Sequence, residues 1–262
     1  MSNATAWQRS AFQSGGFTNQ FSLFCFSTTL SSDVPMSASR FGLPSPDAMK
    51  HVEVRELTRE MDSAWFDGFR SGSLRNVASQ WLAGDLSSLD TATQLTAVLV
   101  SREDAADLVH LQAGWAVAKW LIARGASVVL DAQTNRFWKA ADVADWPAVR
   151  PFALSVDVNV VVEGEPQSAT ANLHTRGLQK FGRPDLIVFD VPGSRWDAVG
   201  ALLRSIAAQL ADGVVLKAGD VVTVNGEAVK LSSYAPTPAT ELHLNNTGLV
   251  LTAAPTSQPA AS

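Results

Sequence analysis

The clearest pattern along the chain is an apolar run, a long helical stretch and a second apolar run. Leu95–Val100 is almost continuously apolar, which is typical of a buried strand. Ser101, with Asp104 three residues later, predicts the N-cap of a helix that is expected to run as far as Arg124. Ser127–Asp131 is a second strand. These elements predict a β-α-β unit whose strands are parallel through a right-handed crossover.

Helical and alternating spacings predict the remaining elements. Helices are expected at 57–69, 74–82 and 194–210, with a short helix and loop at 137–147. Strands are expected at 51–54, 153–163, 168–174, 186–189, 242–244 and 249–251. The Asn225-Gly226 pair predicts a hairpin turn within 221–230. The predicted fold is a single α+β domain, with helices packed on a mixed or mostly antiparallel sheet.

The first 49 residues differ in composition from the rest of the chain. They contain ten serines and no lysine. Two interpretations remain open: a disordered extension, or an N-terminal strand over the apolar stretch Phe17–Phe26. Met36 is an alternative start of the chain. The expected organisation is therefore a Ser-rich extension at 1–49, an α+β domain at 50–253 and a small-residue tail at 254–262.

Composition excludes several classes of protein. The net charge of −5 and the pI near 5.3 do not favour binding to nucleic acid or to an anionic membrane. No apolar run approaches the roughly 18–20 residues that span a bilayer. Cys25 is the only cysteine, which excludes an intrachain disulfide and a cysteine-based zinc site. These features fit a reducing compartment, most simply a bacterial cytoplasm.

One segment, residues 174–185, combines basic side chains, two glycines and a proline between two predicted strands. Its ionisable residues are His174, Arg176, Lys180, Arg183 and Asp185. Arginine side chains and free backbone N–H groups bind anions, and histidine can act as a general acid or base near neutral pH. Three interpretations remain open: an ordinary turn between strands, a surface that binds a partner, or a catalytic or anion-binding site.

Other candidate sites are weaker. Asp131 ends a strand of the predicted β-α-β unit, where ligands gather in open α/β sheets. Glu103, Asp107 and His110 share one face of the predicted helix, but acids are expected near a helix start and no fourth ligand is identifiable. We therefore predict no metal site and no cofactor. The chain has no phosphate-binding loop, dinucleotide fingerprint, nucleophile elbow or zinc-protease motif.

Residues 174–186 also resemble a signature found in uncharacterised bacterial domains of unknown function. That signature is His-x-x-Gly-(Met/Leu)-x-x-Phe-Gly-x-Pro-(Asp/Glu)-(Leu/Ile). Two weaker likenesses are Leu130-Asp131 after a long helix and Gly219-Asp220-Val221-Val222 late in the chain, so that the resemblance covers roughly 94–252. It implies no reaction, although some of these proteins resemble accessory or immunity-type proteins of bacterial conflict systems.

The sequence thus predicts a non-enzymatic cytoplasmic protein that binds another macromolecule, with a protein as the expected partner. The contacts are expected from His174, Arg176, Lys180, Arg183, Asp185 and Asp131. On this hypothesis the exposed residues of the 174–185 segment form one surface patch. The alternative is an enzyme or anion-binding protein in which the same segment lines a cleft.

Overall fold

A computed structural model describes residues 5–164, 167–224, 226–237, 244 and 246–253. Within them the strands are β1 Thr18–Ser27, β2 Val52–Thr58, β3 Gln94–Glu103, β4 Val128–Asp131, β5 Arg136–Lys139, β6 Asn159–Glu163, β7 Thr170–Arg176, β8 Asp185–Pro192, β9 Val221–Val224, β10 Glu227–Ser233 and β11 Gly248–Ala253. The helices are α1 Ala38–Phe41, α2 Ser63–Gly68, α3 Gly72–Trp81, α4 Ser87–Thr91, α5 Val109–Ala123, α6 Ala140–Ala144, α7 Leu154–Asp157 and α8 Trp196–Ala211. Short 3₁₀ helices occupy Pro46–His51, Leu178–Phe181 and Gly193–Arg195.

The first sheet has the order β2-β3-β1-β4-β5, and every neighbouring pair in it is antiparallel. Its central strand β1 comes from the serine-rich N-terminal residues, so this stretch is a strand rather than disordered. Phe21 pairs with Val100 of β3 on one side, and Leu23 pairs with Asp131 of β4 on the other. Residues 18–27 therefore belong to the same folded unit as residues 50–253. A chain that began at Met36 would lack this strand.

The predicted β-α-β unit is present in β3, α5 and β4, but its two strands are not neighbours. They run in the same direction because each is antiparallel to β1, which lies between them. The predicted helix start at Ser101 is wrong. Residues Ser101–Glu103 continue β3 because they pair with Thr18–Gln20, and α5 begins only at Val109.

The second sheet has the order β6-β7-β8-β11-β10-β9, with β8 and β11 as its one parallel pair among the described strands. The predicted β9–β10 hairpin is confirmed, since Val224 pairs with Glu227; Asn225 itself lies outside the described residues. The predicted strand at 242–244 also falls mostly outside them. The α+β prediction is confirmed, with the strands divided over two mostly antiparallel sheets.

The two faces of the first sheet are covered differently. Phe21 and Leu23 point into the large core shared with α5, α8 and the second sheet. Gly114 of α5 lies so close that a β-carbon there would stand 2.7 Å from the Phe21 ring. Phe24 and Phe26 point to the opposite face, where α2, α3 and α4 cover one half of the sheet.

Several local predictions need correction. Leu57 lies in β2, so α2 is much shorter than the predicted 57–69 helix. The predicted strand at 153–163 is split into α7 and β6. Among the described residues, no helix is long and apolar enough to cross a membrane.

Candidate functional site

The basic segment, residues 174–185, joins β7 to β8 and lies at the junction of the two sheets. Gly177 (φ +113°) and Gly182 (φ +60°) have left-handed backbone conformations on either side of the 3₁₀ helix Leu178–Phe181. A β-carbon at Gly177 would stand 2.3 Å from the carbonyl oxygen of Asp157. The 3₁₀ helix packs against β1 on one side and α8 on the other. The segment is therefore an internal connection between the sheets.

Lys180 is completely buried and forms an ion pair with Asp131 at the end of β4. Its Nζ also lies 3.4 Å from Asp157 Oδ1 and 4.6 Å from the centre of the Phe21 ring. Asp157 in turn accepts a hydrogen bond of 2.9 Å from Trp115 Nε1. Burial raises the pKa of Asp131, and the positive charge of Lys180 opposes that rise. Both acids that face Lys180 are buried, so the cation is held by internal partners.

Arg183 is 2% exposed and is held by a second buried cluster. Its guanidinium donates to Asp104 Oδ2 (2.8 Å) and to the carbonyl oxygens of Gln13 and Gly213. Arg9 from the N-terminal segment donates to the other oxygen of Asp104 at 2.7 Å. Burial raises the pKa of Asp104, but hydrogen bonds from the Gly15 backbone and from the two arginines more than offset this and lower it overall.

The other candidate residues of the segment also make internal contacts. Asp185 is completely buried and accepts hydrogen bonds from Thr175 Oγ1 (2.9 Å) and the Leu178 N–H (3.2 Å). Burial raises the pKa of Asp185 to about 6. His174 is 1% exposed, and its Nε2 lies 3.2 Å from Glu163 Oε2. Arg176 is half-buried.

The expectation that this segment forms an exposed surface patch is therefore wrong. None of residues 174–185 is exposed; Arg176, Gln179 and Pro184 are half-buried and the rest are buried. The structure brings Lys180 together with Asp131, but Arg183 belongs to a separate cluster with Asp104. The charged residues are the conspicuous signal in the sequence, and two of them connect the segment to the first sheet: Lys180 pairs with Asp131 at the end of β4, and Arg183 pairs with Asp104 just after β3.

The predicted helical face of Glu103, Asp107 and His110 does not exist, because Glu103 ends β3 and α5 begins later. Asp107 forms an ion pair with Arg102. His110 is buried, its Nε2 lies 2.8 Å from the Lys180 carbonyl oxygen, and burial lowers its pKa to about 4. Over the described ranges, no three His, Cys, Asp or Glu side chains are grouped so that they could hold a metal ion.

An open recess lies on the half of the first sheet that α2, α3 and α4 leave uncovered. We call it the sheet groove and define it by six side chains: Gln20, Ser22, Lys50, His51, Ser101 and Gln133. Its volume is about 400 Å³. A second recess of about 550 Å³ shares His51 and Ser101 with it and continues towards Thr18 at the start of β1.

Gln133 is the most enclosed polar side chain of the sheet groove, with 8% of its surface exposed. Its Oε1 accepts a hydrogen bond of 2.7 Å from the Ser22 N–H, which fixes the orientation of the amide. Among the described residues, its Nε2 donates to no protein atom, and it is not one of the fully buried polar atoms that lack a partner. Gln133 therefore presents an N–H₂ group that is open to the groove and to solvent.

Residues of the basic segment fix the positions of groove residues through hydrogen bonds and an ion pair. Asp131, held by Lys180, accepts hydrogen bonds from the backbone N–H groups of Gln133 (3.1 Å) and Thr134 (3.3 Å) and so fixes the turn after β4. Gln179 Nε2 donates to Gln20 Oε1 at 2.8 Å. Asp131 and Lys180 thus position a groove residue without facing solvent themselves.

Trp65, on α2, belongs to the helical cover of the first sheet. Its ring lies 6.1 Å from that of Phe24, which follows Ser22 on the same face of β1. Trp65, Trp81 and Trp196 are each more than one third exposed, although each lies on a helix, whereas Trp115 of α5 is buried.

Sequence reasoning did not find the groove, although β1 contains a usable signal. Alternate residues on one face change from polar, at Gln20 and Ser22, to apolar, at Phe24 and Phe26. Such a change indicates a strand that is covered along only part of its length. Comparisons with protein-family models, curated proteins and solved structures found no match to this chain. The resemblance of the basic segment to bacterial domains of unknown function stays a prediction.

Proposed function

We propose that this protein is not an enzyme and acts by binding another protein through the sheet groove, in an accessory or immunity-type role. The observation that carries the proposal is Gln133. Its acceptor end is occupied by Ser22 N–H, whereas its N–H₂ group faces the groove with no partner among the described residues. This N–H₂ group is open to solvent in the free protein, and an acceptor oxygen of a bound partner can take the place of water there.

The state of the basic segment argues against the alternative of an enzyme or anion-binding site there. Anion binding needs cations with unused donors that an anion can reach. Lys180 and Arg183 are both buried and already face carboxylates, Asp131 and Asp104 respectively. An anion entering this region would have to displace these carboxylates from inside the core.

We also propose that the protein is cytoplasmic. Cys25 is buried in the central strand β1, and burial raises its pKa to about 12. A thiol with so high a pKa forms little thiolate and reacts slowly. A single shielded cysteine is consistent with a reducing compartment such as the cytoplasm.

Site-specific cross-linking in the producing organism tests this function. A photo-reactive amino acid placed at Ser101, which is exposed in the groove, should cross-link one partner protein that mass spectrometry identifies. The matched control carries the same amino acid at Ala208, an exposed position on α8. The proposal is wrong if the Ser101 position yields no protein beyond those captured at Ala208.

The purified partner then provides the quantitative test. Gln133→Glu keeps the acceptor for Ser22 N–H but replaces the unpaired donor by a carboxylate oxygen. We expect calorimetry to show binding at least tenfold weaker. Gln209→Glu makes the same change at an exposed site on α8 and should leave the affinity unchanged. Equal affinity for both variants would contradict a role of the groove.

A further inference from the structure

We propose that the group recognised in the sheet groove is the backbone of an extended peptide segment, whose carbonyl oxygens accept hydrogen bonds from the groove's amide side chains. The inference deepens the proposed function and rests on it, since it names the chemistry of the partner's contact. It follows from three properties of the groove: which donors remain available, how long the groove is, and what charge it has.

The six side chains that define the groove offer mainly donors. Three carboxylates also line the two recesses: Glu53 pairs with Arg55, Asp104 pairs with Arg9 and Arg183, and Glu103 is exposed. Gln133 Oε1 is occupied by the Ser22 N–H and Gln20 Oε1 by Gln179 Nε2, so both amides present their N–H₂ groups. Lys50, which is exposed, adds an ammonium group that can only donate. Ser22 and Ser101 carry hydroxyl groups that can donate as well. A complementary ligand must therefore be rich in acceptor oxygens.

The groove is long and follows the strands. The two adjoining recesses extend along β1 from Ser22 to Thr18 and share His51 and Ser101. Five strand residues at a rise of about 3.4 Å span roughly 14 Å, or four to five residues of an extended ligand. A helix uses its own carbonyl groups in internal hydrogen bonds, whereas an extended chain leaves them available to donors.

The charged residues that line the groove carry both signs. Lys50 and Glu53 lie on the same recess with opposite charges, and Arg55 pairs with Glu53 at 2.6 Å. Such a balance favours a neutral backbone over a polyanion, because polyanions bind to clustered positive charge. None of the six groove side chains is a phenylalanine, tyrosine or tryptophan on which a sugar ring could stack.

Panning of displayed random 12-residue peptides on the intact protein tests the inference even while the partner is unidentified. Selected peptides are synthesised and titrated by fluorescence anisotropy against the unaltered protein, Gln133→Glu and Gln209→Glu. We expect at least tenfold weaker binding for Gln133→Glu and no change for Gln209→Glu. Ser101→Ala, at an exposed position, should weaken binding about threefold and provides a variant with little risk of misfolding.

Thioamide substitution then identifies the acceptor atoms. Replacing one backbone C=O by C=S weakens that acceptor, so one or two positions of the peptide should lose about tenfold in affinity. N-methylation of the amide nitrogens at other positions serves as the control for changes in backbone shape. Peptides that bind as helices, or peptides insensitive both to thioamides and to Gln133→Glu, would overturn the inference.

The outcomes separate this inference from the proposed function. The Ser101 cross-linker can capture a partner whose affinity depends on Gln133 while thioamide substitution leaves the affinity of the selected peptides unchanged. In that case only the inference of backbone-carbonyl recognition is wrong. If no partner is captured and no groove-dependent peptide is selected, both proposals are wrong. If a glycan array gives ligands whose binding depends on the groove and the peptide library gives none, the inference of a peptide ligand is wrong and the ligand is a carbohydrate.

Discussion

The basic segment and the sheet groove are both polar, and they are joined through Asp131, yet their hydrogen bonding differs. In the segment, Lys180 and Arg183 are buried and face carboxylates at short range. In the groove, Gln133 has one end paired and one end open. Buried charges must be neutralised within the fold, whereas an open neutral amide is tolerated at a modest cost. The difference suggests that the highly charged region stabilises the fold and the less conspicuous neutral region binds.

The largest expected effect comes from removing the cation of the first cluster. Lys180→Met leaves Asp131 buried without its positive partner and leaves Asp157 with only Arg150 at 3.9 Å; loss of one member of a buried ion pair typically costs about 3–5 kcal/mol. We expect a loss of this size in the free energy of unfolding measured with urea. Lys230→Met, at an exposed position on β10, should change it by less than about 0.5 kcal/mol.

A double variant sharpens this result. Adding Asp131→Asn to Lys180→Met removes one of the unpaired charges, so the double variant should be more stable than the single one. If the double variant loses the sum of the stability losses of the two single variants, the ion pair of Lys180 and Asp131 does not exist in solution.

The next effect concerns the backbone of the segment. In Gly177→Ala the backbone has a left-handed φ of +113°, and the new β-carbon would stand 2.3 Å from the Asp157 carbonyl oxygen. Gly219→Ala has a similar φ of +97° but meets no atom within 4 Å. We expect about 1–2 kcal/mol of destabilisation at Gly219 from strain alone, and at least about 1 kcal/mol more at Gly177. Equal losses in urea unfolding would show that the segment can shift away from α7.

Asp185 should make the free energy of unfolding depend on pH in a distinctive way. Its pKa of about 6 in the folded state exceeds the value of about 3.9 in an unfolded chain. Between these values the folded state binds more protons, so the contribution of Asp185 to the free energy of unfolding rises as the pH falls from 7 to 4. The expected contribution is about 3 kcal/mol, to an order of magnitude.

Comparison of variants isolates this contribution, because carboxylates such as Asp104, whose pKa is lowered, act in the opposite direction. Asp185→Asn should remove the rise in stability on acidification, whereas Asp190→Asn, at an exposed position, should retain it. Urea titrations at pH 7.5 and pH 5 measure the difference. Identical pH profiles for the two variants would show that Asp185 is not buried in solution.

The smallest effect on stability is expected in the groove. Ser101→Ala removes an exposed hydroxyl group and should change the free energy of unfolding by less than about 0.5 kcal/mol. Its affinity for the partner or for selected peptides should nevertheless fall. A clear loss of stability instead would indicate that the groove, like the basic segment, is part of the structural framework.

Elements whose pattern is local could be predicted from the sequence. The β9–β10 hairpin follows from its turn residues, and α8 from its apolar stripe. The sequence around Ser101 suits a helix start, and it therefore predicts a helix there. Ser101 lies in a strand instead, because Gln20, 81 positions earlier, pairs with it. Local pattern cannot reveal a partner at that distance.

The site was harder to predict than the fold. Lys180 and Asp131 are 49 positions apart, and nothing in the sequence shows that they meet or that both are buried. Charged residues between strands usually face water, so solvent exposure is the natural expectation. Gln133 has no distinguishing pattern of its own, since its importance comes from the turn that Asp131 fixes and from the helices that stop short of it.

The position of β1 has a consequence for the synthesis of the protein. This strand leaves the ribosome first, yet its two partners, at 94–103 and 128–131, follow only after roughly 70–100 further residues. At about 5–20 residues per second, the strand waits several seconds with Phe21, Leu23, Phe24 and Phe26 unshielded. During that interval the central strand of the finished sheet is available to chaperones and to aggregation on the nascent chain.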